Sequence, residues 1–284
     1  MASKHGQLAV FVCAVLWSTS GLFIKLLDWH PILIAGSRSL VAGFFMLVLA
    51  RRRRAGPGKK PDPFVLWAGG FSYAATMVLF VIANKLTSSA NAILLQYSAP
   101  VWAALFGWAL AGEKPRTEHW LALVIVMAGL VLFFKDGLSA GAFLGDLLAV
   151  LSGILFGLNS VFMRMNKDGE PADIMMLSHF LTAAFALPFC FIYRPVLTLP
   201  SVAAVFFMGI FQIGLSSVLF GYGVKYVSAV QAMLTAMVEP VLNPVWVLLV
   251  TGEKPSLSAL AGGCLIIGAV AVSSVVSARR EALR

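Results

Sequence analysis

The chain has 284 residues, 60% of them hydrophobic and 12% charged, with a formal net charge of +9 and a mean hydropathy of +0.91. A soluble globular domain carries about 25% charged residues, so the composition excludes one. The length allows several membrane spans of roughly 20 apolar residues each. The basic residues sit mainly in short loops, which points to membrane orientation rather than to nucleic acid.

Ten apolar stretches follow one another at about 6–26, 32–50, 63–83, 88–110, 118–134, 143–163, 173–193, 201–222, 228–250 and 256–277. The first could pass for a signal peptide behind Lys4. No small-residue cleavage site ends it and further spans follow, so it is read as a retained span. Short connectors with turn or cap residues separate the stretches, such as Gly112-Glu113-Lys114-Pro115 and Gly252-Glu253-Lys254-Pro255, read as helix punctuation. Cys13, Cys190 and Cys264 lie in apolar segments without metal or redox spacing and read as small buried hydrophobes. No metal site or cofactor is expected.

With the N-terminus inside, Lys4, Arg51, Arg52, Arg53, Arg54, Lys59, Lys60, Lys114, Arg116, Arg164, Lys167, Lys225, Arg279, Arg280 and Arg284 fall on the inner side. Only Lys25, Lys85, Lys135, Arg194 and Lys254 fall outside, with Arg38 left within a span. The bias predicts that both termini are cytoplasmic. The run from Arg51 to Lys60 reads as an anchor against anionic lipid headgroups. Lys85 and Lys225, at span ends, read as snorkelling to the headgroups.

The chain also repeats itself. Lys85 and Lys225, Pro100 and Pro240, Ser88 and Ser228, and the two Gly-Glu-Lys-Pro loops are all offset by 140 residues, as are Phe71, Leu79 and Phe80 from Phe211, Leu219 and Phe220. Residues 16–25 match 155–164 at an offset of 139, and Arg38 falls opposite His179 at 141. A period shared across helix, proline and loop predicts a duplicated unit, residues 1–138 and 139–284, in one membrane domain. Five spans per unit force tandem copies to insert in opposite orientation, so the expected fold is an all-α integral membrane protein with two inverted five-helix repeats around a central cavity.

No Ser/His/Asp arrangement at readable spacing, HExxH or P-loop is present, and the four histidines lie far apart along the chain; the chain is not expected to be an enzyme. Polar groups inside the bilayer must find a partner or water, so they are the candidates. Thr235, Glu239, Asn243 and Trp246 are spaced to share a helical stripe beside Pro240 and Pro244. Glu239 is a candidate for cation binding or proton exchange, or else a structural carboxylate paired with Arg38 or a backbone amide. Span four offers Gln96, Tyr97 and Trp102; span one Trp17, Ser18 and Thr19; span three Tyr73 and Thr76; span six Asn159; span eight Gln212, Ser216 and Tyr222. Aromatics with hydroxyls and amides suit a small amphipathic solute, although each residue taken singly is commonly glue between helices. Arg38 and His179 are further charge candidates, and the pair Gly153 and Gly157 fits close helix approach.

Two five-span units, a Pro-containing fourth span followed by Gly112-Glu113, Arg38 in span two, Gly145-Asp146-Leu147-Leu148-Ala149 and Glu239-Pro240 followed by Gly252-Glu253 resemble the drug/metabolite transporter superfamily, in particular its ten-span EamA-type branch. The resemblance covers nearly the whole chain. It implies a pseudo-symmetric basket of ten helices whose cavity opens alternately to either side, and export of amino acids or metabolites across a bacterial inner membrane. Trp17, Tyr73, Tyr97, Trp102 and Tyr222 make the sequence similar to the aromatic-amino-acid exporter type within that family. The expected partners are membrane lipid, a small-molecule substrate and protons, with no nucleic acid, and a monomer suffices to enclose a path. Other solutes (cationic drugs, nucleosides, sugar conjugates), a channel, and a structural partner without transport are the alternatives.

Overall fold

The computed structural model describes residues 2–19, 27–52, 62–87, 89–138, 142–251 and 256–282. The residues of the basic run from 53 to 60, Lys25, Ser88 and the loop Gly252-Glu253-Lys254-Pro255 lie outside them, as does the side chain of Asn243.

Every described element is helical. In chain order they are α1 (Ala2–Ser18), α2 (Pro31–Arg52), α3 (Pro63–Leu86), α4 (Ser89–Gln96), α5 (Ala99–Ala111), α6 (Thr117–Phe134), a 3-10 turn (Lys135–Gly137), α7 (Phe143–Met165), α8 (Pro171–Tyr193), α9 (Leu199–Phe207), a π-helical segment (Met208–Leu215), α10 (Ser216–Tyr226), α11 (Ala229–Ala236), α12 (Glu239–Thr251) and α13 (Leu257–Ala282). Among the described residues, eight segments are long and apolar enough to cross a membrane, the shortest of 18 residues; Ala229–Leu242 is a shorter apolar helix. The outer surface carries large apolar side chains, among them Leu257 at 86% and Phe143 at 81% exposure. In lipid that surface is at no disadvantage, and backbone polar groups are satisfied within helices. The chain is a multi-pass membrane protein. Cys190 and Cys264 are on this outer surface while Cys13 is buried, which corrects the expectation that all three are internal: lipid accepts a thiol as readily as a core does.

Small residues let the helices approach. Gly129 of α6 and Gly262 of α13 lie at one crossing: a Cβ on Gly262 would come within 2.5 Å of the Gly129 carbonyl. Without a hydrophobic drive between helices in lipid, such close packing is a main source of association. α7 similarly brings Gly153 and Gly157 against the junction of α4 and α5, where an added Cβ would meet the carbonyls of Gln96 at 2.7 Å and Ala99 at 2.6 Å.

The first turns of α1 and the last turns of α13 are at the same end of the bundle, since Gln7 Nε2 donates to the Ser274 carbonyl (3.3 Å). At that end Arg164 Nε pairs with Glu113 Oε1 (2.5 Å) and its Nη1 donates to the carbonyls of Val224 and Lys225. The guanidinium thus satisfies carbonyls at the C-terminus of α10 and ties three helix ends together. Gly112, at φ +68°, ends α5 in the left-handed conformation, so the Gly-Glu-Lys-Pro loop both stops a helix and supplies an ion-pair partner. Lys225 binds Glu170 (3.0 Å).

Candidate functional site

The segments that the sequence reads as spans four and nine are both interrupted. Tyr97 and Ser98 form a turn between α4 and α5, and Met237 and Val238 one between α11 and α12. The cause is local. Pro100 has no N–H to give the Gln96 carbonyl, nor Pro240 the Ala236 carbonyl. The turns before them tighten to three-residue bonds, Ser98 N to Leu95 O (3.1 Å) and Val238 N to Thr235 O (3.4 Å). The break changes the expected stripe: Glu239 starts α12 and lines the central cavity, whereas Thr235, its hydroxyl bonded to the Gln231 carbonyl (2.9 Å), is not among the lining residues. A carboxylate in a helix's first turn lies where the backbone dipole favours negative charge.

Between these breaks is a cavity of 150 Å³ lined by Trp17, Arg38, Tyr73, Thr76, Met77, Phe80, Gln96, Tyr97, Phe156, Gln212, Ile213 and Glu239. A larger cavity, of 380 Å³, lies at the helix ends around Glu113, Arg164 and Ser277. Its Arg164 and Glu113 are already paired to each other. The central cavity is the better candidate site, because it lies at the two helix breaks and gathers polar groups that include the unpartnered donors Arg38 Nε and Gln212 Nε2.

Arg38 Nη1 donates to Gln212 Oε1 (3.5 Å), while Arg38 Nε and Gln212 Nε2 are buried without partners. Gln212 reaches this position from the π-helical segment, a distortion common at functional sites. Tyr97 and Glu239 line the cavity together. No ion pair within 4.0 Å joins Glu239 to Arg38, against the alternative in which the two pair directly. Gln96 Nε2 donates to Ser152 Oγ (2.9 Å), which donates to the Thr76 carbonyl (3.2 Å), and Thr76 Oγ1 returns to Ser72 O (2.8 Å). The aromatic wall is continuous: Trp17 and Phe156 centroids are 6.1 Å apart and Tyr73 and Phe156 5.8 Å.

Other predicted residues hold helices together. Asn159 Nδ2 binds the Gly69 carbonyl (3.0 Å), Trp246 Nε1 binds Ser18 Oγ (2.8 Å), and Trp102 Nε1 binds Ser98 Oγ (3.2 Å). Ser216 bonds back to Gln212 O within its own span, and Thr19 to Leu16 O (2.7 Å). His179 is fully buried against Ser217 (2.9 Å), one layer behind Tyr73, with ring centroids 6.0 Å apart. Tyr222 is 42% exposed and packs on Tyr226, on the outer face of α10 and away from the cavity; its helix turns it toward lipid. Reasoning from polarity passed over Met77, Phe80, Phe156 and Ile213 because apolar residues are unremarkable in a span. Phe156 carried a signal all the same, as the residue matching Trp17 at the 139-residue offset. No group of three or more His, Cys, Asp or Glu that could hold a metal occurs among the described residues.

The EamA-like transporter family model matches this chain twice, at residues 4–135 and 143–275. An uncharacterized transporter of Archaeoglobus fulgidus is 27% identical over 95% of this chain and 96% of its own length. The uncharacterized transporter YwfM of Bacillus subtilis is 24% identical, over 97% and 96%. Solute carrier family 35 member G1 of Mus musculus is 24% identical over 65% of this chain and 57% of its own. A crystal structure 22% identical in sequence superposes with a TM-score of 0.83, covering 95% of this chain and 98% of that one, and so shares the fold. Matched over most of its length, this chain belongs to the EamA-like transporter family.

Proposed function

We propose that the protein is a secondary-type carrier that exports amino acids, aromatic ones among them, and related small metabolites by alternating access. The observation that carries this is the central cavity, where Arg38, Gln212, Tyr97 and Glu239 meet between two interrupted helices. Discontinuous helices around a polar pocket are how transporters of this kind hold a solute within the bilayer. With no ATP motif in the sequence, movement follows a gradient.

Two inverted repeats, residues 1–138 and 139–284, make the alternation possible on this reading. Supporting it are the paired interruptions: α4 and α11 both have 8 residues, and α5 and α12 both have 13, at a constant offset of 140. The meeting of Trp17 with its counterpart Phe156 adds to this, as does the double family match. Rocking of one half against the other opens the cavity to each side in turn. Both termini are cytoplasmic and the protein works as a monomer in a bacterial inner membrane.

Proton exchange at Glu239 is the coupling event in this scheme. The charge that acts on it is that of Arg38, and Tyr73, Tyr97 and Cys13 are the neutral ionisable groups that its own charge reaches. In proteoliposomes Glu239→Gln should abolish the dependence of exchange on an imposed pH gradient while the protein still elutes as a folded monomer. Exchange that keeps its pH dependence in that variant would rule Glu239 out.

A further inference from the structure

The polar groups of the central cavity are divided by hydrogen-bonding role. In one corner Arg38, from α2, and Gln212, from the π-helical segment, present donors. Their mutual contact turns the amide oxygen of Gln212 toward the guanidinium. This leaves Gln212 Nε2 and Arg38 Nε both buried with nothing to donate to. In the other corner Glu239 is an acceptor beside Tyr97 in the same lining, with lone pairs to spare. The two charged side chains line the same 150 Å³ space without closing into a direct ion pair.

Unpartnered donors in a membrane interior are costly, and a ligand that supplies the missing acceptors is favoured there. An isolated organic cation would satisfy Glu239 but leave both orphan donors unmet and place a second positive charge beside Arg38. An isolated anion would do the reverse. A molecule with a carboxylate at one end and an ammonium a short distance away answers both corners and leaves the cavity neutral.

Building on the proposed carrier function, we infer that the cavity reads an α-amino acid as a zwitterion. The carboxylate lies on Arg38 and Gln212, and the ammonium lies on Glu239 and Tyr97. Trp17, Tyr73 and Phe156 surround the side chain. Charge-assisted hydrogen bonds at both poles make each pole a condition of binding, and a site built for a polar group rejects the analogue that lacks it.

The test uses thermal unfolding of the purified full-length protein, titrated with two matched sets of probes. The first is L-alanine, ethylamine and propionate; the second is L-phenylalanine, 2-phenylethylamine and 3-phenylpropionate. In at least one set the amino acid should bind about tenfold or more tightly than either partial analogue. Arg38→Gln should lower amino-acid affinity to that of the amine, and Glu239→Gln should lower it to that of the carboxylate. Arg38→Lys, which keeps the charge, should retain part of the preference. The wild-type comparison needs no variant to fold. An amine or carboxylate binding as tightly as the amino acid, variants that keep the wild-type preference, or no stabilisation by any probe would overturn the inference. Counterflow in proteoliposomes separates it from the carrier reading. Zwitterion-selective binding without saturable exchange would refute the carrier and leave the two poles standing; exchange without that selectivity would do the opposite.

Discussion

The seating of α7 against the break in the fourth span can be tested by adding one methyl group. In Gly157→Ala the new Cβ would be 2.6 Å from the Ala99 carbonyl oxygen, 2.8 Å from the Ala103 nitrogen and 2.9 Å from Trp102 Cβ, whereas ordinary contact begins at 3.4 Å. Two of the three neighbours are backbone, so no rotamer change relieves the clash. The helices must part by several tenths of an ångström in a close-packed interior. Overpacking of this kind costs about 1–3 kcal/mol, against a gain of roughly 1 kcal/mol in helix propensity. The clash should win, lowering the unfolding midpoint in detergent by on the order of 5 °C. Gly268→Ala is the control: a Cβ there meets nothing within 4 Å, so only the propensity gain remains and the midpoint should hold or rise. Equal midpoints for wild type and Gly157→Ala would refute the packing of α7 onto the interrupted helix.

Three further outcomes follow from named contacts. Arg164→Gln should cost more stability than Glu113→Gln, about 1–3 kcal/mol for this partly exposed pair, because the arginine also holds the carbonyls of Val224 and Lys225; chemical unfolding of the two variants should show that order. Ser152→Ala removes the acceptor of Gln96 and should cost about 1 kcal/mol in the same assay. Asp136 accepts from Ser256 (2.9 Å) and Ser258, and those bonds hold its carboxyl below the ordinary value of 3.8. Its folded form therefore binds a proton less readily than the unfolded chain, so its contribution is complete above that value and is lost below it, as pH falls through the lowered folded value. Asp136→Asn should flatten the acid limb of the stability profile, read from unfolding midpoints from about pH 5 downward through that value.

Much of this architecture was legible because the membrane simplifies the problem. Apolar runs bounded by turn residues give helices almost by necessity, and the 140-residue offset placed Pro100 and Pro240 at equivalent points. The residues in the cavity were harder to read. Thr235 and Glu239 share a face only if the helix is continuous, and the proline that marked the spot is also what breaks it. Gln212 is in the cavity because of a π-helical distortion that no residue in Met208–Leu215 announces. Asn159 and Ser18 look like ligands in sequence yet serve as glue, since whether a hydroxyl or amide meets solute or a neighbouring carbonyl depends on a helix rotation that composition leaves open. Phe156 shows the opposite case, an apolar residue that lines the cavity and meets Trp17, the residue it matches at the 139-residue offset.

The claim that this cavity is the route of transport is tested most directly by counterflow of labelled amino acid in proteoliposomes, comparing wild type with Met77→Trp. Met77 lines the cavity, and the larger ring should fill it while the protein still elutes as a folded monomer. The account predicts saturable uptake by wild type, accelerated by unlabelled amino acid on the far side, and its loss in the variant. Uptake that rises linearly with concentration, or that persists unchanged with the cavity filled, would contradict it.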